Sequence, residues 1–281
     1  NGMLFNRTLP PSSGFSSIPD NVGSMENVGF EVTVDAELIR KKDFTFGVNF
    51  NTTHYKNEIT KLPENGQENN RIVSGVYLRE EGGSVYDFYM REFAGVNPLT
   101  GAALFWMDDA VTGERILTEN YNQATQYKIG KSAIPDFYGG FGFNTNYKGF
   151  DMSVNFAYQF GGYGYDSIYM TSMSPSRGEN FHSDYSKTWT SENTGASLPR
   201  VEIGDPQNFY STSSLGLVKS DYLSIQNISL GYTFNNDLTS KLGLSSLRIY
   251  SLIDNVHLWS KRQGYDPRLS LTGGSDNKYS L

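Results

Sequence analysis

The stretch Ile134–Asp166, IPDFYGGFGFNTNYKGFDMSVNFAYQFGGYGYD, constrains the fold of this chain more than any other. Its first half keeps Phe137, Phe141, Phe143 and Tyr147 in one phase, with Tyr138, Gly140, Gly142, Asn144 and Asn146 in the other. The second half sets Phe150, Met152, Val154, Phe156, Tyr158 and Phe160 against Asp151, Ser153, Asn155, Ala157 and Gln159. A period of two sends each set to its own face of a sheet, and the Lys148-Gly149 step closes an antiparallel hairpin. Each run has the length of a tilted membrane-crossing strand, about 9–11 residues. A soluble β-sandwich alternates in the same way, so from this hairpin alone both architectures stay open. Two details favour a membrane barrel: one face is almost wholly apolar while the other is small and polar, and aromatics crowd the ends of the apolar rows.

No window reaches the ~18 consecutive apolar residues of a membrane-spanning helix, so a spanning structure here has to be a barrel. Aromatic residues make up 14% of the 281, and 29 glycines serve the turns such a fold needs. The net charge of -7 argues against nucleic acid, which requires a basic face, and the absence of cysteine excludes disulfides and thiolate metal sites. No signal peptide is visible at Asn1, and the sequence begins and ends within strand-and-loop pattern, as expected of part of a longer polypeptide.

The remaining strands follow the same alternation. Phe30, Val32, Val34, Ala36 and Leu38 oppose Glu31, Thr33, Asp35 and Glu37; after a turn at 40–43, Phe44, Phe46, Val48 and Phe50 oppose Thr45, Gly47, Asn49 and Asn51. Met3, Leu4 and Phe5 are placed to end an earlier strand, and a further strand is expected to begin at Lys278–Leu281. In Asp221–Phe234 the phase changes: Leu223 and Ile225 fall opposite to Ile228, Leu230, Tyr232 and Phe234. Either a bulge near Asn227 or lumen-facing apolar groups beside a plug accounts for this. Leu247–Trp259 completes a set of about seven strands. Short turns are expected at 40–43, 148–149 and 235–246, and long connections at 7–24, 63–133, 161–220 and 260–277. Strict alternation in an up-and-down meander puts all short turns on one rim and all long loops on the other, as in outer-membrane barrels. The fold expected is therefore all-β, an antiparallel up-and-down transmembrane β-barrel segment with long extracellular loops. Lys148-Gly149 then lies at the periplasmic rim, and Phe137, Phe141, Phe143, Phe150, Met152, Val154 and Phe156 face lipid.

The motifs Ile134-Pro135-Asp136-Phe137-Tyr138-Gly139-Gly140-Phe141, Tyr147-Lys148-Gly149-Phe150-Asp151 and Phe160-Gly161-Gly162 resemble the carboxy-terminal barrel of SusC/RagA-type TonB-dependent transporters. So do Asp221-Tyr222-Leu223 with Ile228-Ser229-Leu230-Gly231-Tyr232, Asp254-Asn255-Val256 with Gly264-Tyr265-Asp266-Pro267, and the turn Gly95-Val96-Asn97-Pro98-Leu99-Thr100-Gly101. Together they cover most of the chain from about Phe93 onward. The resemblance implies an importer of about 22 strands with a plugged lumen in the outer membrane of a Gram-negative, Bacteroidota-type bacterium. It also implies a SusD-like surface lipoprotein as lid, energy from TonB through the plug, and oligosaccharides or peptides as cargo. Residues 1–281 would be the carboxy-terminal part of that barrel, with the plug, the TonB box and the remaining strands outside this chain.

No catalytic set stands out, and no cofactor is called for. His54, His182 and His257 lack metal-ligand spacing. Asp108, Asp109 and Glu114 read as a hairpin turn rather than a calcium loop, Glu80 and Glu81 as a solvated turn, and Gly161-Gly162-Tyr163-Gly164 lacks the helix of a phosphate loop. The binding candidates are the aromatics of the two longest connections: Trp106, Tyr163, Tyr165, Tyr169, Phe181, Trp189, Phe209 and Tyr210. Such rings cover the C–H face of a sugar while neighbouring polar groups bond its hydroxyls, though the same rings also serve to pack loops together or against a lid. The function expected is non-enzymatic import of oligosaccharides. Peptide import, or a soluble secreted carbohydrate-binding β-protein, is the alternative.

Overall fold

The structure is a computed structural model that describes residues 2–8, 14, 17–62, 70–262 and 264–268, of which 2–8 and 17–22 contribute backbone only. Seven antiparallel strands form the wall: β1 (Gly2–Thr8), β2 (Ser17–Lys41), β3 (Phe44–Lys61), β4 (Phe137–Tyr147), β5 (Phe150–Phe160), β6 (Tyr222–Thr233) and β7 (Arg248–Ser260). They pair in chain order, as an up-and-down meander must. The opening hairpin is in perfect register from Phe137 opposite Phe160 to Tyr147 opposite Phe150. Its two-residue turn uses left-handed backbone at Lys148 (φ 47°) and Gly149 (φ 89°), the geometry that matches strand twist. That turn is tied to its neighbours: Lys148 N–H donates to Asp43 O at 3.1 Å and Thr233 N–H to Gly149 O at 2.8 Å.

The apolar row runs continuously across the wall. Val34, Phe50, Phe141 and Phe156 meet at successive pairings, as do Ala36, Val48, Phe143 and Val154. Among the described residues no second sheet covers it: Val34 is 48% exposed, Phe150 54% and Leu230 52%. A sandwich would bury these groups; a lipid-facing wall presents them. Aromatics gather at both edges of the row, with Phe30, His54 and Phe137 in mutual ring contact at one end. At the other, Phe44 meets Tyr147 and Phe150 meets Tyr232. An 11-residue strand such as β4 is about 34 Å long, which a tilt of ~40° projects to roughly 26 Å, the height of the apolar band of such barrels.

The phase change in β6 is a bulge. Register shifts between Ile225 and Asn227 against both neighbours, so Leu223 and Ile225 lie opposite Tyr158 and Phe156 and rejoin the apolar row. The opposite face is amide-rich. Asn155 Nδ2 donates to Asn227 Oδ1 at 2.9 Å, Gly140 N–H to Asn51 Oδ1 at 3.0 Å, and Arg248 bonds the Asp151 carboxylate at 2.6 and 3.2 Å.

The expectation of a loop over 7–24 is corrected. The Ser-, Pro- and Asn-rich segment 17–24 is strand, paired residue by residue with Gly2–Thr8. Pairing with β1, and continuity with the strand that pairs with β3 from Ser24 onward, override its turn-like composition. The turn near 235–246 carries a short helix, Asn236–Lys241, capped by the Asn235 side chain. The strand expected from Lys278 and most of the last connection fall outside the described residues.

Val34→Arg places a charge at the middle of the lipid-facing row and should destabilise the intact barrel by about 2–4 kcal/mol in bilayer unfolding titrations, whereas Asn49→Arg on the other face should cost far less.

Candidate functional site

Two of the long connections, over residues 70–136 and 161–220, are folded. Residues 70–136 carry a four-stranded sheet, in spatial order Gln126–Ser132, Asp87–Arg91, Tyr77–Arg79 and Ile72–Ser74. They also carry a three-stranded meander of Phe93–Val96, Ala103–Asp108 and Arg115–Thr118. The two turns expected at 97–101 and 108–113 join the meander's strands. In the second, Asp109 Oδ1 accepts from Val111 N (2.9 Å) and Thr112 N (2.8 Å), bonds that hold its carboxyl below the usual range; the carboxylate closes a hairpin. Glu80 is not simply solvated: it pairs with Lys128 at 2.7 Å and Arg71 at 2.9 Å.

Residues 161–220 fold onto this platform. Strand Tyr163–Tyr165 pairs with Leu217–Lys219, and a helix spans Ser167–Ser172. The main buried cluster joins both connections: Ala102, Ala103 and Phe105 from the meander meet Tyr169, Met170, Met173, Phe209 and Tyr210. A second cluster forms around Tyr77, Phe88, Met90 and Ala133. The platform hangs on the wall through main-chain bonds where β3 overshoots β4, with Ile59 N–H donating to Gly83 O at 2.8 Å and Gly82 N–H to Ile59 O at 2.9 Å.

The eight sequence-selected aromatics divide between packing and exposure. Tyr169, Phe209 and Tyr210 are inner members of the main cluster, and Tyr165 packs against both clusters. The Tyr210 hydroxyl donates to Pro199 O at 2.7 Å, and burial pushes its pKa up. Trp189 lies on Gly101, where an added Cβ would come within 2.4 Å of the indole, and its Nε1–H donates to Pro98 O at 3.0 Å. Arg200 N–H bonds Gly101 O at 2.8 Å, so two residues of the second connection grip the 97–101 turn of the first. Trp106 is half-buried with the Arg115 guanidinium 5.0 Å from its ring centre. Phe181 is exposed and pairs with Tyr185 at 4.6 Å. Tyr163 lines a large cleft.

That cleft, about 700 Å³, lies at the long-loop rim. Its walls are Tyr163, the strand Leu217–Lys219, the 3₁₀ turn around His182, Ser183, Asp184 and Lys187, and Lys261 and Arg262 just beyond β7. Arg262 reaches past the cleft to Asp166 (2.8 Å), which is wholly buried and caps the Ser167–Ser172 helix through Tyr169 N (2.9 Å). The guanidinium also stacks 3.7 Å from the Tyr169 ring centre, behind the cleft wall. Asp184 accepts from Lys187 Nζ at 2.5 Å and the Tyr169 hydroxyl at 3.3 Å, and the Lys187 bond holds its carboxyl below the ordinary range. His182 Nδ1 accepts the Asp184 N–H at 3.1 Å. None of His182, Asp184, Lys219, Lys261 or Arg262 was among the sequence candidates. They are scattered over about eighty positions, with no spacing that announces them.

A meander with one lipid-suited face, one amide-lined face, short turns on one rim and folded loops on the other defines a segment of an outer-membrane β-barrel. Comparison with known proteins shows what the chain is similar to: TonB-dependent receptors, SusC among them, and the RagAB peptide importer. It is 29% identical to TonB-dependent receptor P39 of Formosa agariphila, over 97% of this chain and 30% of that protein. With TonB-dependent receptor SusC of Bacteroides thetaiotaomicron it shares 24% identity over 96% of the chain and 27% of the relative. The RagAB peptide importer in its closed-closed state superposes with a TM-score of 0.79 at 27% identity, covering 99% of this chain and 31% of that one. No protein-family model matches. The chain thus spans about 30% of the length of the curated relatives it matches.

Two outcomes test the loop fold. Gly101→Ala, at φ 73° and against Trp189, should loosen the grip of residues 189–200 on the turn by about 1–3 kcal/mol, read as faster hydrogen exchange there. The Lys128 bond lowers the Glu80 pKa from its ordinary 4.5, so its stabilisation is present above that value and is lost as pH falls through the lower, folded one. Exchange protection of residues 72–91 should therefore drop below about pH 4.5 in the native protein and lose that step in Glu80→Gln, with a neutral-pH cost of about 0.5–1 kcal/mol after solvent screening.

Proposed function

We propose that this chain is the carboxy-terminal part of the wall and outer vestibule of a TonB-dependent importer of oligosaccharides. A SusD-like surface lipoprotein would lid the long-loop rim, and TonB would act on a plug formed by residues outside this chain. Import is non-enzymatic: cargo binds at the folded loops and along the polar face, then passes when the plug rearranges. The observation that carries this reading is the pairing of an outward apolar row with an amide-rich opposite face beneath a folded loop platform. Asn49, Asn51, Asn144, Asn155 and Asn227 offer both donors and acceptors, the chemistry that suits hydroxyl-bearing cargo. Likeness to SusC and the P39 receptor supports TonB-dependent transport.

Peptides are the second reading, favoured by the superposition on the RagAB peptide importer. Main-chain amides of a peptide would meet the same asparagine face.

Cells carrying the intact gene should accumulate a fluorescently labelled oligosaccharide in a manner abolished by deleting either the gene or TonB. Unchanged accumulation of every sugar tried, alongside gene-dependent uptake of labelled peptides, would move the assignment to the second reading.

A further inference from the structure

We propose that the cleft at the long-loop rim recognises an acidic group, carboxylate or sulfate, on the imported oligosaccharide; the proposal deepens the import reading and rests on it. Four cations reach this one cleft, Lys187, Lys219, Lys261 and Arg262, in a chain whose net charge is -7. Two of them are already matched. Lys187 pairs with Asp184, and Arg262 with the buried Asp166. Lys219 and Lys261 have no ion-pair partner among the described residues. They come from separate elements, the strand Leu217–Lys219 and the segment after β7, and both line the same space.

Two unmatched ammonium groups lining one recess, both exposed to solvent, repel each other and give it a net positive field. An incoming anion relieves that repulsion without breaking an existing pair. Lysine is a compact point charge with rotatable donors, so the site makes no bidentate demand and accepts carboxylate or sulfate alike. The remaining lining suits a sugar ring. Ser183 supplies a hydroxyl, Asp184 a carboxylate, and Tyr163 a ring whose other partner is Lys131, 4.5 Å from its centre. A volume of about 700 Å³ is within the usual range for a bound oligomer's terminal units. A neutral sugar gains nothing from the two ammoniums, so charge, more than ring stacking, discriminates here.

The test titrates the intact transporter in detergent with trigalacturonate, with maltotriose as the neutral sugar and triglutamate as the acidic peptide. Trigalacturonate should bind about tenfold or more tighter than maltotriose, and the advantage should shrink as salt rises from about 50 to 500 mM. The double substitution Lys219→Gln/Lys261→Gln should bring trigalacturonate down to the maltotriose level, while Lys219→Arg/Lys261→Arg should retain the preference. Unchanged hydrogen exchange of the loop clusters in both variants would show that the cleft is still built. Equal binding of the two sugars by the native protein, or an undiminished acid preference in the glutamine variant, overturns the proposal. Triglutamate as the tighter, lysine-dependent ligand overturns its assignment to a sugar. Gene-dependent uptake of maltotriose without any acid preference defeats the cleft proposal and leaves import standing, whereas absence of all saccharide uptake defeats both.

Discussion

The structure depends on one constraint: a main chain crossing hydrocarbon must satisfy its own N–H and C=O groups, and a sheet does this only through its neighbours. Every strand from β3 to β6 is accordingly paired on both sides across the apolar band. The constraint also inverts the usual burial rule. Val34, Phe141, Phe150 and Leu230 stand on the outside of the sheet, and the buried clusters of the chain lie in its loops. Two solvents thus act on one polypeptide. Lipid selects the outward side chains of the wall, and water drives the collapse of the connections into Phe105, Met170, Phe209 and their neighbours.

Packing within the wall follows from the same inversion. With no facing layer among the described residues, outward rings pack on their neighbours within the wall: Phe141 stacks on Phe156 across the strand pair with centroids 4.6 Å apart, and Tyr158 meets Phe160 along its own strand at 5.5 Å. Glycine makes room for longer reaches. Tyr158, opposite Gly139, extends across it to lie parallel to Phe50, 6.3 Å away, and its hydroxyl donates to Asn51 O at 3.1 Å. A Cβ at Gly139 would meet that same carbonyl at 2.1 Å, so the bare backbone is required there. The bulge around Gln226 serves the row differently, shifting phase so that Leu223 and Ile225 keep company with Phe156 and Tyr158.

Much of the wall was legible because its signal is local. Period-two alternation identified residues 30–38 of β2 and strands β3 to β6, Lys148-Gly149 announced its turn, and the phase slip between Ile225 and Ile228 left two explanations of which the bulge is the one present. Where composition alone was the guide, reading failed: Ser17–Ser24 looks like loop and is strand, since its partner Gly2–Thr8 decides the matter. The loops were harder still. Aromatic residues in polar surroundings marked Tyr163 at the cleft, but could not separate it from Tyr169, Phe209 and Tyr210, which are buried in the packing of the platform itself. Lys219, Lys261 and Asp184 come together only through the pairing of distant strands, and nothing near any of them in sequence records that meeting.

The join between platform and wall has a consequence for how such a protein changes. Ile59 and Gly82–Gly83 are connected through peptide groups, and peptide groups are the same whatever side chains flank them. Side chains reinforce the join at few points: Asn57 Oδ1 accepts from Val85 N at 2.9 Å, and Gly82 supplies left-handed backbone (φ 79°). Exposed residues of the platform away from these few points can change while the ribbon that carries them stays docked, so the surface of the loops can diversify without altering the wall beneath.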